Sequence, residues 1–174
     1  MNKTLVLFAH PYYEHSQTNA RLIQAYQNCE HITFRDLYED YPDFNIQAFK
    51  ERKRMVVYDT LIFHFPLIWF GMPPLLKLWI DEVFDMKWIA ENDIPNPLLG
   101  KKVHLVVTAG GSPHAFSDIG KYHYPLETFL APLTQCIEIS GMTLESSHFI
   151  YNADNLSYPE LEEHYNTIKK LTLL

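Results

Sequence analysis

The 174-residue chain is 47% hydrophobic, which suits one domain over residues 1–174 with a core that folds unaided and argues against a second. Its 14 basic and 21 acidic side chains give a net charge of -7, with no cluster of Lys or Arg able to neutralise phosphates, so nucleic acid is excluded as a partner. Apolar stretches broken by Pro66 and Pro73-Pro74 are too short for a membrane span, and Met1–Lys3 runs into an apolar segment without a secretory cleavage site, so a soluble cytoplasmic protein is expected.

Short apolar runs with β-branched residues alternate with longer amphipathic stretches, the pattern of buried parallel strands and covering helices. The first strand is expected at Thr4–Ala9, followed by His10–Asn19 and a helix near Asn19–Cys29. A second strand at His31–Leu37 precedes a helix near Ile46–Tyr58, and a third at Thr60–Phe65 leads through an aromatic segment to a helix over Pro74–Phe84. Pro73-Pro74 is a start signal for that helix, and Leu75, Leu76, Trp79, Ile80, Val83 and Phe84 recur at helical spacing along it. Such a broad stripe packs on the sheet, and its excess, with Trp88 beyond it, suits a homodimer interface. Residues 85–101 read as a functional loop or lid. Strands at Lys102–Thr108 and Thr143–His148, with helices near Pro125–Ser140 and Pro159–Leu171, complete five β/α units. The fold class is therefore α/β, a doubly wound parallel sheet with ligands at the carboxyl ends of its strands.

Three segments at that edge carry the chemistry. After the first strand come His10 and the turn Ser16, Gln17, Thr18, Asn19, whose hydroxyls and amides at a helix start suit a phosphate without a lysine; capping of the helix by Ser16 or Thr18 is the alternative. The third strand ends in Pro66, Leu67, Ile68, Trp69, Phe70 and Gly71, material for the apolar wall of a flat ring such as a flavin, or for ordinary core. The fourth ends in Thr108, Ala109, Gly110, Gly111 and Ser112, where glycines let backbone N–H groups approach a ring's carbonyl oxygens. Neither GxxxxGK[ST] nor GxGxxG occurs. The nine histidines form no metal motif, and Cys29 and Cys136 lack a CxxC spacing, so no metal is expected and both thiols read as reduced and structural.

FAHPYYEHSQTNARL, FPLIWFGMPPLLKLWIDEVF and VTAGGS resemble the signature regions of the NAD(P)H:quinone oxidoreductase branch of flavodoxin-like proteins. YPDFNI and PPLLKLWIDEVF are most similar to the short ancillary subunits of glutathione-regulated potassium efflux systems. The resemblance implies a flavodoxin-like five-stranded sheet of order 2-1-3-4-5 with helices on both faces. It places His10 and Ser16–Asn19 on a flavin's phosphate and ribityl chain, Pro66–Phe70 along its ring, and Thr108–Ser112 at its pyrimidine edge. Phe116 and Tyr122 stand where larger relatives carry a Tyr and a His that steady the reduced flavin. Tyr122, His114 and His123 are the nearby catalytic candidates, with Tyr124 beside them; solvated loop histidines are the alternative for His114 and His123. The implied activity is FMN-dependent transfer of hydride from NADH or NADPH to a quinone-like acceptor, with ping-pong kinetics and both substrates stacking in turn against the ring. FMN is expected over FAD because the chain ends just after its fifth helix. Regulation of a potassium efflux transporter, in which case the protein would sit at the inner face of a membrane, and one-electron carriage are the rival readings.

Overall fold

In the computed structural model, which describes residues 2–90 and 95–172, five strands form one parallel sheet: β1 (Thr4–Phe8), β2 (Ile32–Asp36), β3 (Thr60–Pro66), β4 (Lys102–Thr108) and β5 (Thr143–Ile150). Their order is β2-β1-β3-β4-β5, so the chain reverses direction across the sheet between β1 and β3. The described helices are α1 (Gln17–Leu22), α2 (Leu37–Asp40), α3 (Ala48–Val56), α4 (Pro74–Val83), α5 (Met86–Ala90), α6 (Leu126–Ile139) and α7 (Tyr158–Leu171).

Alternation along the strands divides the core between the two faces. Leu7, Phe63, Leu105 and Val107 join one cluster with the apolar sides of α4 and α6, while Val6, Ile62, Val106 and Ile150 meet α1 and α7 through Leu22, Tyr26 and Ile168. Leu75, Leu76, Trp79, Ile80 and Val83 of α4 are all buried within the chain. The broad stripe on α4 is thus accounted for by the sheet and its neighbours, and does not by itself call for a second copy.

Beneath α4 lies a buried ionic hub. Glu51 of α3 is wholly inaccessible and accepts from Arg35 Nη1 at 2.8 and 3.0 Å, from Tyr41 Oη at 2.5 Å and from Trp79 Nε1 at 3.2 Å; Arg54 also pairs with it. Arg35 sits opposite Leu7 in the sheet register, so the hub is on the α4 face and knits β2, α3 and α4 together.

Several boundaries differ from expectation for local reasons. The first helix opens at Gln17, because Ser16 caps it, and gives way to a 3-10 turn over Ile23–Tyr26. The single turn α2 was not anticipated; Asp36 starts it by accepting from Tyr38 N at 2.9 Å. Within 85–101 the chain forms α5, while 91–94 fall outside the described residues. No described helix is long and apolar enough to cross a membrane.

Candidate functional site

A cleft of about 330 Å³ opens at the carboxyl ends of β1, β3 and β4, at the switch point of the sheet. From the segments singled out in the sequence it is lined by His10, Ser16 and Asn19, by Pro66, Leu67 and Ile68, and by Thr108, Ala109 and Gly110. Tyr12, His15, Ala153 and Asp154 also line it and were missed. The last two belong to the turn after β5, where Asn152-Ala153-Asp154 resembles any surface turn in composition; the rule that strand ends carry sites would have found them had it been extended to the fifth strand.

The two turns behind the cleft are stitched together by the main chain. Ala109 N donates to Ile150 O at 2.8 Å, Ala153 N to Ala109 O at 3.0 Å, and Asn152 N to Gly111 O at 3.0 Å. A Cβ on Gly110 would stand 3.1 Å from Asp154 Oδ2, and one on Gly111 would reach 2.8 Å from the rings of Phe116 and Tyr122. The first glycine keeps the cleft's rear wall close; the second supports packing outside the cleft. Ser112 is likewise turned away, with its Oγ accepting from Ala115 N at 3.1 Å.

At the β1 end, Ser16 both caps α1 and lines the cleft. Its Oγ accepts from Asn19 N at 3.3 Å and from Asn19 Nδ2 at 2.9 Å. Gln17 and Thr18 face an adjoining depression that shares His15, Ser16, Ala153 and Asp154 with the cleft, and the Thr18 hydroxyl donates to Ala153 O. His10 Nδ1 accepts from Tyr12 N at 3.1 Å, and burial lowers the imidazole's pKa. The neutral ring therefore carries its proton on Nε2, as a donor.

Below this end runs a buried chain of hydrogen bonds. Tyr26 Oη lies 3.0 Å from His64 Nδ1, His64 Nε2 lies 3.1 Å from Asn19 Oδ1, and Asn19 Nδ2 donates to Ser16 Oγ and, at 3.2 Å, to Thr108 Oγ1. His64 is wholly inaccessible, and burial, with His10 and His148 nearby, pushes its pKa down to about 3. No sequence motif marks this histidine; only the register that sets it beside Phe8 on the α1 face places it under the cleft.

The aromatic pair after β3 is placed differently from expectation. Ile68 N donates to Gly71 O at 2.9 Å and Gly71 N to Ile68 O at 3.0 Å, closing a two-residue turn with Trp69 and Phe70 at its corners. Both take positive φ, 45° and 63°, the pattern of a type I′ hairpin turn. Trp69 consequently projects into solvent, 92% exposed, and Phe70 packs on Tyr122 and Phe129 with ring centroids 5.1 Å away in each case. Neither lines the cleft in this arrangement. The N–H groups of Leu67 and Ile68 are committed to Thr108 O and Gly71 O, leaving this wall with its apolar side chains. Tyr122 packs at a tilt on the buried Phe116, with ring centroids 4.7 Å away, while His114 and His123 are exposed on the loop after β4. Among the described residues no three His, Cys, Asp or Glu side chains gather as a metal site.

Residues 2–171 match the profile of a family described by its flavodoxin-like fold, Flavodoxin_2. A Bacillus subtilis (strain 168) protein named "Uncharacterized NAD(P)H oxidoreductase YdeQ" is 34% identical over 168 residues, spanning 97% of this chain and 85% of that protein. A solved structure described as a thermophilic tryptophan halogenase from Streptomycin violaceusniger has a TM-score of 0.91 at 33% identity and covers 98% of both chains. General stress protein 14 of Treponema denticola, solved in complex with FMN, has a TM-score of 0.85 at 26% identity, covering 98% of this chain and 95% of that one. Matched by that profile over nearly its whole length, the chain belongs to the flavodoxin-like Flavodoxin_2 family.

Proposed function

We propose that the protein is an FMN-dependent NAD(P)H:quinone oxidoreductase, working as a homodimer in the cytoplasm. The observation that carries this reading is the polarity of the cleft. His10 and Ser16 after β1 stand over a buried polar chain, the apolar run Pro66-Leu67-Ile68 lies at the end of the adjacent β3, and Thr108–Gly110 at the end of β4 bring main chain to the edge beyond it. A flavin mononucleotide has the same order of parts: an anionic phosphate, a hydroxylated chain and a flat ring with a polar rim. The cleft volume is at the lower end of the range of roughly 300–1,000 Å³ found for small-ligand sites. Asp154, an acceptor at the rear wall, suits ribityl hydroxyls and not a phosphate.

In this reading His10 and Ser16 hold the phosphate with Thr108, whose hydroxyl shares the Asn19 amide with that of Ser16, Pro66–Ile68 flank the ring, and Ala109–Gly110 meet its pyrimidine edge. When bound, FMN supplies the two-electron chemistry, taking hydride from NAD(P)H and passing it to a quinone. The protein's part is to orient the ring and leave one face open to both substrates in turn. Trp69, at the rim and exposed, is placed to stack on a flat acceptor or on a second subunit. The oxidoreductase name of the Bacillus relative and the FMN in the Treponema structure support this reading.

Mass spectrometry of heat-released cofactor, with steady-state turnover of NADH and NADPH against a soluble quinone, tests the proposal. Stoichiometric FMN and ping-pong kinetics are expected. Stoichiometric FAD, or a protein without flavin affinity, overturns the cofactor assignment, and tight FMN without quinone-dependent turnover overturns the reductase.

A further inference from the structure

The buried chain below the cleft can run in either of two directions, and the direction decides what the cleft presents. In one, the Tyr26 hydroxyl donates to His64 Nδ1, His64 Nε2–H donates to Asn19 Oδ1, and the Asn19 amide donates both its protons, to Ser16 Oγ and Thr108 Oγ1. In the other, every one of these bonds is reversed: Asn19 donates to the histidine, and the Ser16 and Thr108 hydroxyls turn inward to donate to the amide oxygen. The same heavy-atom distances serve both.

Tyr26 breaks the tie. It is 3% exposed, and among the described residues its hydroxyl has His64 Nδ1 as its one partner. A buried hydroxyl proton without an acceptor is costly, whereas spare lone pairs on a phenolic oxygen are tolerated more easily. The first direction uses that proton; the second strands it. The consequence at the cleft is specific. Ser16 Oγ then has both acceptor positions filled, by Asn19 N and Asn19 Nδ2, and can meet a ligand only through its O–H. Thr108 Oγ1, receiving from the same amide at 3.2 Å, is likewise free to donate outward.

We propose that Tyr26 and His64 are positioning residues that fix the orientation of the Asn19 amide, so that Ser16 and Thr108 face the cleft as hydroxyl donors and select a ligand group that only accepts, a fully deprotonated phosphate monoester. The inference rests on the flavin reading for the identity of that ligand, but the direction of the chain is a property of the protein alone. It is consistent with a histidine held neutral by burial. Flavin discrimination between phosphorylated and unphosphorylated forms is thereby set two residues away from the ligand.

Nitrogen-15 NMR of the imidazoles in flavin-free protein reads the direction. His64 is expected as the neutral Nε2–H tautomer; an Nδ1–H tautomer overturns the proposal. Tyr26→Phe keeps the ring and removes the deciding proton, so His64 should shift toward a tautomer mixture. Affinity for FMN should fall by roughly threefold to tenfold, since hydrogen bonds to a charged group are at stake, while affinity for riboflavin stays unchanged. An FMN-to-riboflavin affinity ratio equal to the parent's, with a folded variant, also overturns it. Should the variant not fold, the parent's tautomer still decides. If the parent binds neither flavin, the functional proposal fails, and the tautomer continues to test the chain's direction separately.

Discussion

The two faces of the sheet each bury a polar network, and the two are built on opposite plans. On the α4 face, Glu51 is ionic and closed: its partners Arg35, Arg54, Tyr41 and Trp79 come from the surrounding elements and all point inward. On the α1 face, the Tyr26–His64–Asn19 chain is neutral and open: it begins in the core and ends on two hydroxyls at the cleft. A network that closes on itself serves the fold, since its removal leaves buried charge without a partner. A network that ends at a cavity with free donors serves a ligand. Disrupting each should therefore give a different signature.

The largest effect is expected from the closed network. Glu51→Leu leaves the half-buried Arg35 with Asp40 as its one acidic partner among the described residues and removes the acceptor of Tyr41 and Trp79. Loss of one partner of a buried pair costs about 3–5 kcal/mol, read as a lower denaturant midpoint at unchanged slope. Flavin affinity of the folded variant should match the parent's, because among the described residues none of the hub's hydrogen bonds or ion pairs reaches a residue lining the cleft. Weakened flavin binding at full folding would mean the two networks are coupled.

The open network should show itself in pH dependence. His64 is depressed to about 3 and His148, which faces His164 at 3.1 Å, to about 4, both by burial first. Below the unfolded value near 6.5 the unfolded chain takes up protons that these native imidazoles refuse, so stability falls as pH drops from 6.5 toward 4. Burial raises Asp36 to about 6, which acts oppositely: the native carboxyl holds a proton between about 6 and 3.8, and stability from it is lost as pH rises through 6. Burial also lowers His10, His104 and His164, so the histidines outweigh the one carboxyl and stability should fall as the pH is lowered from 7 to 5. Denaturant midpoints across that range check the slope, and His64→Gln should flatten it. An unchanged slope in that variant would assign the dependence to other groups.

How much of this was legible in the sequence follows the same division. Strand β3, with its apolar run, and α4, with its proline start and regular stripe, were read correctly because local pattern and tertiary role agree. The three strand-end segments were found because strand-then-irregular is a composition signal. Within those segments, the individual residues His10, Ser16, Asn19, Pro66–Ile68 and Thr108–Gly110 were named from the family resemblance. Asp154 was not found, because an Asn-Ala-Asp turn after an edge strand has no signature of its own. Tyr26 and His64 were invisible because their partnership spans 38 residues and depends on which face of β3 the histidine occupies. Trp69 was assigned to the cleft wall because a flat ring needs aromatic walls and the family resemblance put it there; its left-handed backbone at the Ile68–Gly71 bridge has no signal in the sequence.

That turn supplies the smallest expected effect and the sharpest use of the comparison. A type I′ turn favours Asn and Gly at its corners, and a bulky side chain at positive φ costs on the order of 1 kcal/mol. Trp69 bears this cost at φ 45° while 92% exposed, so burial of its own side chain offsets little of it. Strain of this kind is retained where a surface is used. Trp69→Asn should therefore raise stability by roughly 0.5–1 kcal/mol while lowering quinone turnover several-fold and leaving FMN affinity nearly intact, since the indole lies outside the cleft lining. Denaturant unfolding and steady-state kinetics on the same preparation separate the two changes. A variant that is destabilised would show that the indole is packed in solution, against a second copy or the rim, and would move Trp69 from the open, ligand-serving side of the molecule to the closed one.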